Sequence, residues 1–218
     1  MKAFLLRLRH AWPALYFFIY MPAFFWLERT FNSDYPGLHY IHCTLDDKIP
    51  FVEHFIIPYF LWYFYIAGFV VFFFFKDVKE FYQLMATLII GMTVFLIISA
   101  IYPNGVMIRP DTFPRENVFT DMVRQLHSID TDTNVFPSLH AFNSIAVAIA
   151  VLKSKYFKDW GVMKISSTIL ALLIIFSTVF LKQHSIIDVI GSFVLAVPLY
   201  LLVYVKKWNL CANHKRMS

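Results

Sequence analysis

The sequence predicts an all-α integral membrane bundle of six transmembrane helices, with both termini cytoplasmic. Three observations predict it. The 218 residues are 59% hydrophobic and only 15% charged, whereas soluble domains carry about 25% charged residues. Several apolar runs approach the roughly 20 residues that cross a bilayer. The lysines and arginines also fall unequally on the two sides of the topology those runs define.

The spans are drawn at about 11–27, 55–75, 82–102, 137–153, 165–181 and 185–205. The basic Met1–His10 stretch precedes a long aromatic segment without a small-residue cleavage site, which reads as a retained first span and not a signal peptide. The fourth span is the least distinct, because its clean apolar run, Ile145 to Leu152, is short. With the N-terminus inside, Lys2, Arg7, Arg9, Lys76, Lys79, Lys153, Lys155, Lys158, Lys164, Lys206, Lys207, Lys215 and Arg216 are cytoplasmic, 13 of 19 basic residues. Of 14 acids, 11 lie outside, Asp77, Glu80 and Asp159 being the exceptions. The net charge of +5 is thus a topology signal spread over short loops, and it argues against a nucleic-acid partner. Residues 1–218 read as a single transmembrane domain without repeats or low-complexity tracts. Cys43 and Cys211 fall on opposite sides of the membrane and give no disulfide framework.

Two outer segments, Glu28–His54 and Pro103–Phe136, are too long to be simple turns; long loops of this kind are usually functional or disordered. The second holds Arg109-Pro110, Phe113-Pro114-Arg115 and a possible short helix from Asn117 to Ile129, and it leads into Asn134-Val135-Phe136-Pro137-Ser138-Leu139-His140. Pro137 suits a helix first turn, with Asn134 or a neighbour as cap. The amides of Ser138, Leu139 and His140 would then be free donors at a helix start, a site suited to phosphate, and the Ser138 hydroxyl adds a donor. His140, in the first turn, could give a proton to an oxygen of the bound group. The bland alternative is a capped span with its histidine in the headgroup region.

His184 and Asp188 are spaced i and i+4, on one helix face. The carboxylate can accept from one ring nitrogen, fix the tautomer and leave the other nitrogen free to attack. Asp188 also suits the first turn of the sixth span, where negative charge is favoured. A structural histidine–aspartate bond is the competing reading, but ionisable groups at a membrane segment are costly and two such motifs share one membrane face. Arg109 is a candidate bidentate phosphate clamp.

These residues resemble the type-2 phosphatidic acid phosphatase superfamily of integral-membrane phosphoesterases. Arg109-Pro110, Pro137-Ser138-x-His140 and Ser177-x6-His184-x3-Asp188 match its three blocks in order, and the resemblance is strongest over residues 82–205. It implies a metal-independent phosphoric ester or diphosphate hydrolase without cofactor. His184 would form a phosphohistidine, Asp188 would orient it, and His140 would protonate the leaving oxygen. Arg109, Ser138, Leu139 and the helix-start amides would hold the phosphoryl oxygens. The implied partners are a lipid phosphate and membrane lipids. The implied place is the plasma membrane, with the site on its non-cytoplasmic face. Two positions depart from the family: Tyr102 replaces the usual first-block lysine and Thr178 the third-block arginine. Lys182, i+4 from Thr178 on a continuing helix, and Arg115 are the expected replacements for that lost charge. The arginine-free third block is also similar to the inositol phosphorylceramide synthase branch, which implies transfer to a lipid alcohol as the alternative outcome.

Other features carry weaker expectations. His39, His42, Cys43, Asp46 and Asp47 could be imagined around zinc, but their spacing fits no finger pattern, and a headgroup-facing loop or lid is the better reading. Asp130 and Asp132 suit turn and cap roles. Phe72 to Phe75 suit lipid-facing packing. The Lys215-Arg216 tail loosely resembles a retrieval signal.

Overall fold

The apolar runs form helices in the computed structural model, which describes residues 9–206. Lys2, Arg7, Lys207, Cys211 and the Lys215-Arg216 tail lie outside the described residues. A 3₁₀ stretch, Arg9–Tyr16, leads into α1, Phe17–Thr30. There follow α2 (Thr44–Lys48), α3 (Ile56–Lys76), α4 (Val78–Ile101), α5 (Val118–Ile129), α6 (Leu139–Lys153), α7 (Gly161–Phe180) and α8 (Ile186–Tyr200), with α8 prolonged by a π-helical turn, Leu201–Val205.

Four helical segments, 53–76, 78–101, 161–180 and 186–205, are long and apolar enough to cross a membrane. The other two expected spans correspond to α1 and α6, of 14 and 15 residues. At about 1.5 Å per residue, 15 residues rise only about 22 Å, short of a hydrocarbon core of about 30 Å. The indistinct fourth span therefore has a structural counterpart in a short helix. Its neighbours explain why its composition is tolerated: Ala141, Phe142, Asn143, Ser144, Ala146, Val147, Ala148, Ala150 and Val151 are all buried. It is the central helix, and α3, α4, α7 and α8 pack around it.

Helix ends follow local chemistry. Asp77 alone separates α3 from α4, and its carboxylate accepts the Glu80 N–H at 2.9 Å, which caps α4. Asn117 caps α5 by accepting from the Phe119 and Thr120 amides. Among the described residues the departure from helix is slight: His39–Tyr40 pair in parallel with Asn104–Gly105, and Gly105 bridges to Thr133. That ladder ties the two long connecting segments, 28–54 and 103–136, together. Phe73, expected to face lipid, is instead fully buried in the core, while Phe75 is exposed.

Close approach of helices depends on small residues at crossings. At Gly91 on α4, an added Cβ would lie 2.0 Å from the Phe142 ring of α6. Phe142 is fully buried, so its ring must shift within a packed core to make way. Gly91→Ala should therefore lower the melting temperature in detergent. Overpacking costs about 1–3 kcal/mol, which outweighs the roughly 1 kcal/mol gained by removing a helical glycine. An unchanged or raised melting temperature would show that the ring can relocate.

Candidate active site

Three elements converge at the N-terminal end of α6. Ser138 caps this helix: its hydroxyl oxygen accepts the Ala141 N–H at 3.3 Å. Its own N–H donates to the Asp188 carbonyl at 3.1 Å. Ser192 completes the seam, donating to the Ser138 carbonyl at 2.7 Å and the Asp188 carbonyl at 2.9 Å. The start of α6 and the first turns of α8 are thereby stitched together. His140 and His184 meet across that seam with ring centroids 5.9 Å apart.

His184 projects from the short connection between α7 and α8. Its N–H and that of Gln183 both donate to the Thr178 carbonyl, at 3.1 and 2.9 Å. Nδ1 of His184 lies 3.4 Å from Oδ2 of fully buried Asp188. That is ion-pair distance, but His184 Nδ1 completes no hydrogen bond; such contacts are often loose before substrate binds. Asp188 Oδ2 accepts the Ser185 N–H at 2.8 Å, so the carboxylate also belongs to the capping box of α8. On the other side, the His140 ring is held by Tyr59 and Trp62 of α3, with centroids 4.6 and 4.4 Å away. His140 Nε2 is buried without a hydrogen-bond partner.

The phosphate-binding expectations need correction. Asn134 is not the cap of α6; it stands at φ 54° and its side chain donates to Glu28. Ser138 takes the cap, its hydroxyl oxygen accepting from the Ala141 N–H, and its side chain is fully buried. With the Ser138 amide also used, Leu139 and His140 remain as the helix-start amides. Lys182 does not share a face with Thr178, because α7 ends at Phe180 and Lys182 adopts φ 60°. Its ammonium donates instead to the Asp46 and Ile49 carbonyls, each at 2.6 Å. Arg115 is drawn to buried Glu53, with Nε 2.9 Å from Oε1 and NH2 3.1 Å from Oε2. Both cations are thus engaged by protein oxygens away from Tyr102 and Thr178. Tyr102 stacks on His39 at 4.2 Å, and Thr178 turns its hydroxyl to the Ile175 carbonyl.

Arg109 does reach the site, though not as a free clamp. Its terminal nitrogens donate to the His127, Asp130 and Thr131 carbonyls, at the C-terminal end of α5, and to the Gln183 side chain. Helix C-termini favour such cations. Asp130 in turn accepts from the Tyr59 hydroxyl and from Gln183 Nε2. Arg109 is thus joined to both histidines through their neighbours.

Four residues escaped the sequence reading. Tyr59 and Trp62 sit in an aromatic run that reads as lipid-facing. Gln183 has no motif. Asn104 is fully buried, its side-chain oxygen Oδ1 accepting from the Val135 and Phe136 amides at 3.0 and 2.8 Å, and it shapes the approach to α6. Its only signal was a Pro-Asn-Gly turn.

The expected loop cluster does not gather. His42 pairs with Asp47 at 2.8 Å, His39 stacks on Tyr102, and Asp46 is buried toward Ser185. No group of three or more potential metal ligands forms among the described residues. Burial alone would raise the Asp46 carboxyl, but donors from Ser185, Ile186 and Cys43 hold it below its usual range.

Residues 104–211 match the family model of the PAP2 superfamily, about half of the chain. No curated protein and no solved structure matches it.

His127 gives this region a pH dependence. Its Nε2 donates to the Leu181 carbonyl at 3.1 Å. Burial first, and Arg109 second, push its pKa from 6.5 down to about 4. The fold therefore favours neutral imidazole. The stability this contributes is complete above the unfolded value of 6.5 and is lost as pH falls through about 4. Melting temperature in detergent should fall across that window. His127→Gln, which keeps an N–H for Leu181, should flatten part of the fall; identical pH profiles for both proteins would refute the assignment.

Proposed function

With the chain a member of the PAP2 superfamily, we propose that it is an integral-membrane lipid phosphatase acting on a phosphate monoester or an isoprenoid diphosphate. The reading rests on one observation above the others: two histidines face each other at 5.9 Å, one of them backed by a buried carboxylate at 3.4 Å. A site that merely binds headgroups has no use for an oriented imidazole with a second imidazole opposite.

The chemistry runs as follows. A near-attack arrangement places phosphorus within about 3–3.5 Å of the nucleophile, and a general acid works within about 2.6–3.2 Å of the oxygen it protonates. A phosphoryl group between the two rings can meet both conditions. With Nδ1 of His184 turned to Asp188, its Nε2 attacks phosphorus and the bond to the lipid oxygen breaks. His140 gives its proton to that oxygen. Water, deprotonated by His140, then attacks the phosphohistidine; phosphate leaves and both imidazoles return to their starting states. The Leu139 and His140 amides stabilise the charge on the phosphoryl oxygens. Arg109 supports them at longer range. No metal is invoked.

The topology that accompanies this reading has six spans, α1 and α6 included, cytoplasmic termini and the site on the non-cytoplasmic face of the plasma membrane. A second reading, transfer of a phospho-headgroup to a lipid alcohol such as ceramide or diacylglycerol, draws support from charge. Lys182 is engaged by backbone carbonyls and Arg115 by Glu53. A site without their charges suits a singly charged phosphodiester better than a doubly charged monoester.

The purified protein should release phosphate from a lipid phosphate or diphosphate in detergent with chelator present, and His184→Ala should abolish the release. Product formed only when a lipid alcohol is added would favour the transferase. General acid catalysis is worth about 10²–10⁴-fold, and an alkoxide needs it more than a phosphate leaving group does. His140→Ala should accordingly damage monoester hydrolysis more than diphosphate hydrolysis. Equal losses would remove His140 as the acid, and no product from the whole lipid panel would remove the enzyme reading.

A further inference from the structure

A carboxylate buried in a loop is costly unless its partners compensate it, so those partners indicate what it is for. Asp46, on the short helix α2, is 1% exposed. Its Oδ1 accepts the Ile186 N–H at 2.9 Å, and its Oδ2 accepts the Ser185 hydroxyl at 2.6 Å and the Cys43 N–H at 2.9 Å. Its carbonyl accepts from Lys182 Nζ at 2.6 Å. Asp46 thus grips the chain on both sides of His184. The Ser185 hydroxyl is fixed twice over, since its oxygen also accepts the Ile187 N–H at 3.1 Å. The Ser185 N–H holds the same Asp188 oxygen that faces His184.

We propose that Asp46 is a positioning residue for the nucleophile: by fixing Lys182, Ser185 and Ile186 it sets where the His184 backbone stands, while Asp188 sets how the ring is turned. This rests on the reading of His184 as nucleophile. The division follows from the geometry. Asp188 addresses the imidazole, and Asp46 addresses only the chain around it. Asp46 comes from an outer segment remote in sequence, so the loop after α1 completes the site without touching substrate.

The test is Asp46→Asn in the full-length protein. The amide is nearly isosteric, but its single oxygen cannot serve the Ser185, Cys43 and Ile186 donors together. Misplacement by about 1 Å can cost about 10²-fold in rate. The expected result is a fall of that order in kcat per folded molecule, with KM changed by less than about threefold. Ser185→Ala should lower kcat as well, and the double variant should fall short of the product of the two losses, as coupled neighbours do. Asp47→Asn is the control: Asp47 is mostly exposed and bonds only His42 within the loop, and activity should be unchanged.

A purely structural tie would show otherwise. If activity fell only in proportion to the folded fraction, with kcat per folded molecule unchanged, the proposal would be overturned. If Asp46→Asn does not fold, Lys182→Met and Ser185→Ala, each loosening one grip, take its place under the same criterion. An activity-independent readout separates this idea from the function on which it rests. In ¹⁵N-histidine NMR of wild type and Asp46→Asn, the His184 signals should report a changed tautomer balance. Unchanged signals overturn the positioning role. Changed signals uphold it even where no lipid phosphate proves to be a substrate, an outcome that defeats only the enzymatic reading.

Discussion

Two carboxylates share the N-terminus of α8: both oxygens of Asp46 are hydrogen-bonded there, while Asp188 accepts through Oδ2 and leaves Oδ1 without a partner. Asp188 and Asp46 are 0% and 1% exposed. In an apolar bundle, charges of this kind persist only when donors surround them. The start of a helix supplies such donors, since its first amides have no partners within the helix and its dipole favours negative charge. Asp188 takes the Ser185 amide, and Asp46 takes the Ile186 amide and the Ser185 hydroxyl. That division leaves Asp188 able to face His184 and draws the loop after α1 down onto the site.

The second half of the site depends on packing. α6 is short and rich in alanine and serine, so its neighbours come close, and Phe142 enters the space left by Gly91. A similar fit recurs before the helix, where a Cβ on Gly191 would lie 2.5 Å from the Phe136 ring. The first contact seats α6 on α4, and the second brings the N-terminal approach to α6 against α8, where Ser192 joins the Ser138 and Asp188 carbonyls. Tyr59 and Trp62 then hold the His140 ring from the α3 side. Two histidines more than forty residues apart are thereby held with ring centroids 5.9 Å apart by apolar packing and backbone hydrogen bonds.

Charge around the site is arranged otherwise than the sequence suggests. Of the three cations expected to meet phosphate, Lys182 and Arg115 serve the scaffold, and Arg109 closes the end of α5 while touching Gln183. Around Arg109 lie Asp130, Asp132 and Glu28, whose fields act on its charge. On the function proposed above, the anion would fall chiefly to the helix-start amides and the histidines, and the transferase alternative would turn on substrate charge.

The sequence by itself determined the helical membrane character, the extents of the long helices, and the identity of the residues that meet. Hydropathy runs are local, and His140, His184 and Asp188 were legible because their spacing reports a helix start and a shared helix face. What remained hidden required long-range geometry. Lys182 looked aligned with Thr178 only if α7 continued, and a positive φ at Lys182 ends that alignment. Ser138, and not Asn134, is the cap of α6, while Asn134 bonds Glu28. Asp46 read as part of a loop cluster, and Tyr59 and Trp62 as lipid-facing aromatics. Their roles come from partners distant in the chain, which only the tertiary structure selects, since a buried polar group takes whichever partner folding brings within hydrogen-bond reach.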